Sequence, residues 1–213
     1  MIIIGKTEIA GFDTAISGMR HPLKSYARHD SIFINGQEPR IGKNDLDLAT
    51  KLAAAGTDHG KFLRQIYVGV TITASMYWWK EMDTYKVGTT ANSQSTMHRL
   101  TKDPIDAECF SIDEDGLHLP VYGKETIGDV WEDLLNDLET IRLMYNETGD
   151  IKYWRALNQL LPQGWLQTRT WTANYAVLKN IYHARKNHKL VEWHDFCDWI
   201  ETLPYAKELI IGE

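Results

Sequence analysis

Between Lys80 and Lys86 the sequence gathers two amines, two carboxylates and a phenol: Lys80, Glu81, Asp83, Tyr85 and Lys86. Such a set can recognise a base or a sugar through hydrogen bonds, or move protons. It also reads as the polar end of a helix whose charges pair among themselves, an arrangement that stabilises little. Further along, Arg185, Lys186, His188 and Lys189 form a local basic cluster in a chain of formal charge −6. That overall charge argues against a general electrostatic nucleic-acid binder but is compatible with one basic pocket for an anion. Between these groups, the segment from Lys86 to Met97 is rich in Gly, Thr, Ser and Asn and reads as a loop of small hydrogen-bonding groups.

Other chemistries find no support in the residue pattern. There is no G-x-G-x-x-G, no P-loop and no Ser/His/Asp elbow. The eight histidines include His183, His188 and His194, but no H-E-x-x-H and no Cys/His pairing points to a metal. Tyr182-His183 and Trp193-His194-Asp195 read as packing and capping groups. Cys109 and Cys197 stand far apart, which predicts no disulfide framework and a reducing, cytoplasmic setting. The apolar start, Met1 to Ile4, is too short for a signal peptide, and no run approaches the roughly 20 residues that span a bilayer. No membrane and no nucleic-acid partner is expected. Eight Trp and ten Tyr exceed what a core of this size needs, so part of that surplus is expected at subunit or ligand surfaces.

The elements that must position these residues follow from periodicity. Residues 2 to 10 predict a strand, and Asp13 a cap for a short helix through Met19. From Arg20 to Lys43 the chain is turn-rich, with Asn35-Gly36 and Pro39 as breakers. Asn44 or Asp45 is the expected cap of a helix to Ala55, stopped by Gly56. Ile66, Val68, Val70 and Ile72 alternate with Tyr67, Gly69, Thr71 and Thr73, the pattern of a half-buried strand. A short helix over 74 to 81 follows it. Residues 105 to 122 are turn-rich with an acidic tip, Asp113 to Gly116. Ile127, Val130, Trp131, Leu134, Leu135, Leu138, Ile141 and Tyr145 recur at helical spacing up to Gly149. A helix from Ile151 ends before Pro162. Residues 165 to 173 alternate as a strand, Asn174 caps a helix to Lys186, and a last helix spans Val191 to Leu203. Few strands and several long helices make an α+β domain with antiparallel strands, expected as one domain over residues 1 to 213.

Two segments resemble the flavin-dependent thymidylate synthases (ThyX). The run from Leu161-Pro162 through Trp171-Thr172 and Asn174 to Asn180 and Arg185 is similar, without a gap, to that family's Leu-Pro turn, its Y-T-x-F-x-W-T-x-N strand and the helix ending in Arg. Upstream, Thr90 to His98 resembles the family's loop S-x-N-E-x-S-x-R-Y, with Asn92 and Ser95 in register. Ser93 stands where that loop has Glu, Met97 where it has Arg, and His98 where it has Tyr. The R-H-R triplet that ends the family's preceding helix is absent, Lys80 being the nearest cation, and the residues from Asp83 to Gly88 form an insertion. The order of elements from about 43 to 203 fits the family best.

The resemblance implies a ThyX-like fold and a homotetramer. It implies FAD as cofactor, a pyrimidine deoxynucleotide such as dUMP as substrate, and a folate as carbon donor. The family transfers a methylene group to C5 of deoxyuridylate and reduces it with flavin hydride. By the same resemblance, Arg185 and Ser95 contact the nucleotide, with Asn92, Lys80 and Lys86 beside them as candidate contacts, while Asn174 and Asn180 contact flavin. Arg99 and Arg155 are further cations that could offset the missing arginines. No catalytic residue is assigned. Two alternatives stay open: a nucleotide-binding protein without flavin chemistry, and a structural or assembly protein.

Overall fold

The computed structural model describes residues 1–34 and 36–212; Asn35, predicted as a breaker with Gly36, lies outside the described residues. Among the described residues four strands are formed: β1 (Ile2–Ala10), β2 (Tyr67–Ser75), β3 (Thr90–Ser93) and β4 (Leu166–Asn174). The helices are α1 (Phe12–Gly18), α2 (Lys43–Ala54), α3 (Met76–Met82), α4 (Thr96–Arg99), α5 (Glu114–Leu117), α6 (Ile127–Thr148), α7 (Ile151–Leu160), α8 (Tyr175–Arg185) and α9 (Val191–Glu201). The class is α+β with an antiparallel sheet. No helix among the described residues is long and apolar enough to cross a membrane. The chain forms two compact units, one of Met1, Thr73–Asp83 and Ser93–Arg169, the other of Ile2–Ile72, Thr84–Asn92 and Thr170–Glu213.

The first unit is built on α6 and α7. The apolar stripe of α6 buries Leu138 against Leu157 of α7, with Leu100, Ile105 and Phe110 completing the core. Phe110 meets Trp131 and Trp165 edge-on at 4.9 and 5.3 Å, a geometry that aligns ring edges with ring faces. Buried Arg142 is held by Glu139 through two hydrogen bonds of 2.7 and 2.6 Å and donates to the Thr101 carbonyl. Glu139 also accepts from the Ile105 amide, and the hydrogen bonds from Arg142 hold its carboxyl below its ordinary value. α6 starts at a reciprocal cap: the Asp129 amide donates to Thr126 Oγ1, and the Thr126 amide donates to the Asp129 carboxylate. Replacing Thr126 with alanine is expected to remove about 1 kcal/mol of stability. In a thermal melt that is a fall of about 2–4 °C in Tm.

The second unit carries β1 and most of β2, β3 and β4, and the strand order of the sheet is β1-β2-β4-β3. Ile66, Val68, Val70 and Ile72 point inward as their alternation requires. The same unit buries Phe12, Ala15 and Ile16 of α1, Leu178 and Ile181 of α8, and Trp193, Phe196 and Ile200 of α9 nearly or fully. Phe12 meets Tyr175 edge-on at 5.5 Å. Lys179 of α8 donates to the Ala53 carbonyl of α2 at 2.9 Å, and burial pulls its ammonium below the usual lysine range.

Some local expectations are corrected. Asp13 is not the cap of α1. Gly11 is, at φ 93°, where a Cβ would stand 2.0 Å from the Gln65 carbonyl oxygen. Neither Asn44 nor Asp45 caps α2, which starts at Lys43. The carboxylate of Asp30 does that work from outside the helix, accepting the amides of Asn44 and Asp45 at 2.9 and 3.1 Å. Asp45 instead turns inward to buried Arg20. The predicted loop from Lys86 to Met97 contains β3 and the start of α4. The acidic tip folds as α5, capped by Asp113.

Candidate functional site

In the second unit, α8 begins where Asn174 leaves the strand. Its Oδ1 accepts the Val177 amide at 3.1 Å, and the side chain is 9% exposed. Tyr175, Leu178, Ile181 and Tyr182 form the buried stripe of the helix. That register leaves Asn180 exposed and Arg185 half-buried in the last turn. A cation there also interacts favourably with the helix dipole.

The Arg185 side chain is held by two aromatic residues. Its Nε donates to the Tyr85 hydroxyl at 2.9 Å, and its guanidinium lies 4.6 Å from the Trp193 ring centroid and 5.5 Å from that of Tyr85. The two rings are 6.2 Å apart. Tyr85 belongs to a tight turn, in which Thr89 Oγ1 donates to the Tyr85 carbonyl and the Lys86 amide to that of Thr84. The turn continues to Gly88 at φ 75°, where a Cβ would lie 3.2 Å from Asn174 Nδ2 and 3.4 Å from Val177 Cγ2. Lys86 and Asn92 are exposed in the same unit.

In the first unit, Ser95 is exposed and caps α4. Its Oγ accepts the His98 amide at 3.3 Å and pairs with His98 Nδ1 at 2.7 Å. Lys80 is exposed, whereas Trp78 and Trp79 before it are fully buried and edge-to-face at 4.9 Å. Trp79 Nε1 donates to the Gln167 carbonyl at 2.9 Å. Arg169 stacks over the Trp79 ring at 4.3 Å, pairs with Asp83 at 2.7 Å and donates through Nε to Gln167 Oε1. Arg99 is paired with Asp103 on the surface, and Arg155 is exposed.

The cluster between Lys80 and Lys86 is therefore not one set: Lys80 and Asp83 belong to the first unit, Tyr85 and Lys86 to the second. Arg185, Lys86, Asn92, Asn174 and Asn180 share the second unit, while Ser95 and Lys80 lie in the first. Sequence reasoning missed two partnerships. Tyr85 was visible only as one phenol among charges, and Arg169 only as a member of a strand. A cation at a strand position next to tryptophans is the signal that could have drawn attention to Arg169.

Cavities also open among the described residues of the second unit. One, of about 930 Å³, is lined by the apolar Met19, Leu48, Leu52 and Phe62 together with the cationic Arg28 and Lys61. The other, of about 1430 Å³, is an open groove along β1 that includes Tyr67, Trp199 and Pro204. None of the predicted site residues lines either one.

No family model matches the sequence, and no curated protein matches it. Solved structures do match the fold. The ThyX thymidylate synthase of Helicobacter pylori, in a structure with FAD and dUMP, superposes with a TM-score of 0.69 at 16% identity, over 98% of this chain and 96% of that one. A second structure of the flavin-dependent thymidylate synthase from Helicobacter pylori, complexed with FAD and dUMP, gives 0.68 at 18% identity, over 98% and 97%. The UMP/dUMP methylase PolB of Streptomyces cacaoi, bound with 5-Br dUMP, gives 0.62 at 13% identity, over 100% and 93%. At these identities the likeness is one of fold, and the fold is that of the flavin-dependent thymidylate synthases.

Proposed function

We propose that this chain binds a pyrimidine deoxynucleotide of the dUMP kind and acts on C5 of its base as a flavin-dependent enzyme. The observation that supports this best is the register of α8 within a ThyX fold: Asn174 at its start, Asn180 exposed on it, and Arg185 at its end, clamped by Tyr85 and Trp193. Arg185 is the proposed phosphate contact, because a planar guanidinium matches a phosphate through two parallel hydrogen bonds. Lys86 and Asn92 are proposed to add a charge and an amide in the same unit. In the first unit Ser95 and Lys80 are the proposed anion contacts.

FAD fits the exposed amide of Asn180 more directly than that of Asn174, whose Oδ1 is used by the helix cap. Asn174 is proposed to shape the turn, and Asn180 to face the cofactor. When bound, a flavin supplies the hydride that reduces a carbon unit delivered to C5, with a folate as the proposed donor. The chain's own residues bind, orient and neutralise: the task is one of holding flat partners in stacking distance and matching phosphate charge. A tetrameric assembly is part of the same proposal.

A second reading is favoured by one specific observation. In α3, which lacks the R-H-R triplet, Trp78 and Trp79 are buried, and nearby Arg169 is paired with Asp83. This leaves less unpaired positive charge for flavin and phosphate, which suits a protein that binds the nucleotide without flavin chemistry. One experiment separates the two. Protein saturated with FAD and desalted is expected to keep the visible flavin bands and to convert dUMP when given a methylene-folate and a reductant. Stabilisation by dUMP in a thermal-shift assay without flavin retention selects the second reading. Neither flavin retention nor a nucleotide shift overturns both.

A further inference from the structure

We propose that Tyr85 is a positioning residue for phosphate recognition, setting the direction of the Arg185 guanidinium from a turn that also braces the start of α8. The inference rests on the reading of Arg185 as the phosphate contact. It deepens that reading by naming the residue that sets its specificity for a phosphorylated nucleoside. Tyr85 lies in the segment from Asp83 to Gly88, which the sequence resemblance reads as an insertion.

The geometry has three parts. The hydroxyl of Tyr85 accepts from Nε of Arg185, which fixes the guanidinium about the bond that would otherwise let it swing. The Trp193 ring, fully buried in α9, supplies a rigid floor at 4.6 Å, and the Tyr85 ring flanks the cation at 5.5 Å. The turn itself is pinned. A Cβ at Gly88 would stand 3.2 Å from Asn174 Nδ2, tighter than an ordinary contact, and 3.4 Å from Val177 Cγ2. One short segment thus approaches the start of α8 at Gly88 and meets its last turn through Tyr85, although the helix is 11 residues long. A free arginine must give up rotamer freedom to bind an anion. One already held by a hydrogen bond and two rings has lost most of that freedom on folding, so less is lost on binding.

A Tyr85→Phe variant keeps the ring and its packing but removes the hydroxyl. The test is a set of calorimetric titrations of dUMP and of deoxyuridine, which lacks the phosphate, into wild type, Tyr85→Phe, Arg185→Ala and the double variant. Tyr85→Phe is expected to weaken dUMP about fivefold, the range of one ordinary hydrogen bond, and to leave deoxyuridine unchanged. In the Arg185→Ala background the same substitution is expected to have no further effect, since the two residues act as a unit. Tyr85→Leu, which also removes the ring, is expected to weaken dUMP about thirtyfold. A role for Tyr85 in folding alone would weaken both ligands alike and persist in the Arg185→Ala background. Either that pattern or unchanged dUMP affinity in Tyr85→Phe overturns the proposal while the nucleotide reading stands. Failure of the wild type to bind dUMP overturns both.

Discussion

Replacing Asp45 with alanine is expected to cost about 3–5 kcal/mol of folding stability, because it strips a buried cation of its counter-charge. Arg20 is 4% exposed, and its Nε donates to Asp45 Oδ1 at 2.8 Å. The second carboxylate oxygen accepts the amides of Asp30 and Ser31 at 3.0 Å each and the Ser31 hydroxyl at 2.6 Å, with His29 Nδ1 at 2.9 Å. Asp45 therefore gathers the loop after α1 onto α2. Domains are stable by only about 5–15 kcal/mol, so the variant loses a large share of the whole. Chemical denaturation should show a lower midpoint at an unchanged slope. A loss below about 1 kcal/mol would mean that the Arg20–Asp45 pair contributes no more than a surface ion pair. Converting both residues to apolar ones, Arg20→Met with Asp45→Leu, is expected to recover only the part of the loss due to the stranded charge, since the Asp30 and Ser31 amides and the Ser31 hydroxyl still lose their acceptor.

The same carboxylate sets an acid limit. Burial pushes its pKa up, but hydrogen bonds from Ser31, the Asp30 amide and Arg20, together with nearby His29, outweigh burial and hold it below the ordinary value. A group depressed in the folded state gives its stabilisation in full above the unfolded value, about 3.9 for Asp, and loses it as pH falls through the folded value. Acid unfolding of the wild type below about pH 4 should therefore carry a contribution from Asp45 that is missing in Asp45→Asn.

Loss of the Arg185 side chain is the second large effect. Hydrogen bonds to a charged group contribute about 1.5–3 kcal/mol, so Arg185→Ala should weaken dUMP by about 10- to 150-fold. Deoxyuridine should be almost unaffected, since the interaction lost is with the phosphate. Arg185→Lys should restore only part of the affinity. An ammonium keeps the charge but offers neither the planar pair of donors nor a flat face for Trp193 and Tyr85. Equal weakening of dUMP and deoxyuridine would place Arg185 in the fold and not in phosphate recognition.

Much of the fold could be read from the sequence where burial follows a local period. The alternation from Ile66 to Ile72 became β2, the stripe ending before Gly149 became α6, and Asn174 caps α8 as its residue type suggested. What could not be read depends on partners remote in sequence. Asp30 caps α2 across 14 residues, Asp45 meets Arg20 across 25, and Tyr85 meets Arg185 across 100. Periodicity reports which face of an element is buried, not which distant side chain lies against it. The strand order of the sheet was illegible for the same reason. At the site, the residue types on α8 were legible. The pairing of Arg185 with Tyr85 and Trp193 was not, because it joins residues that no local pattern links.

The central claim is that this fold holds a phosphorylated pyrimidine deoxynucleoside, and it is tested most directly by titrating dUMP into the FAD-saturated wild-type chain, with deoxyuridine as the control. The expected result is saturable dUMP binding at least about tenfold tighter than deoxyuridine, the difference that one charge-assisted phosphate contact contributes. No saturable dUMP binding, or equal affinity for the two compounds, would contradict it.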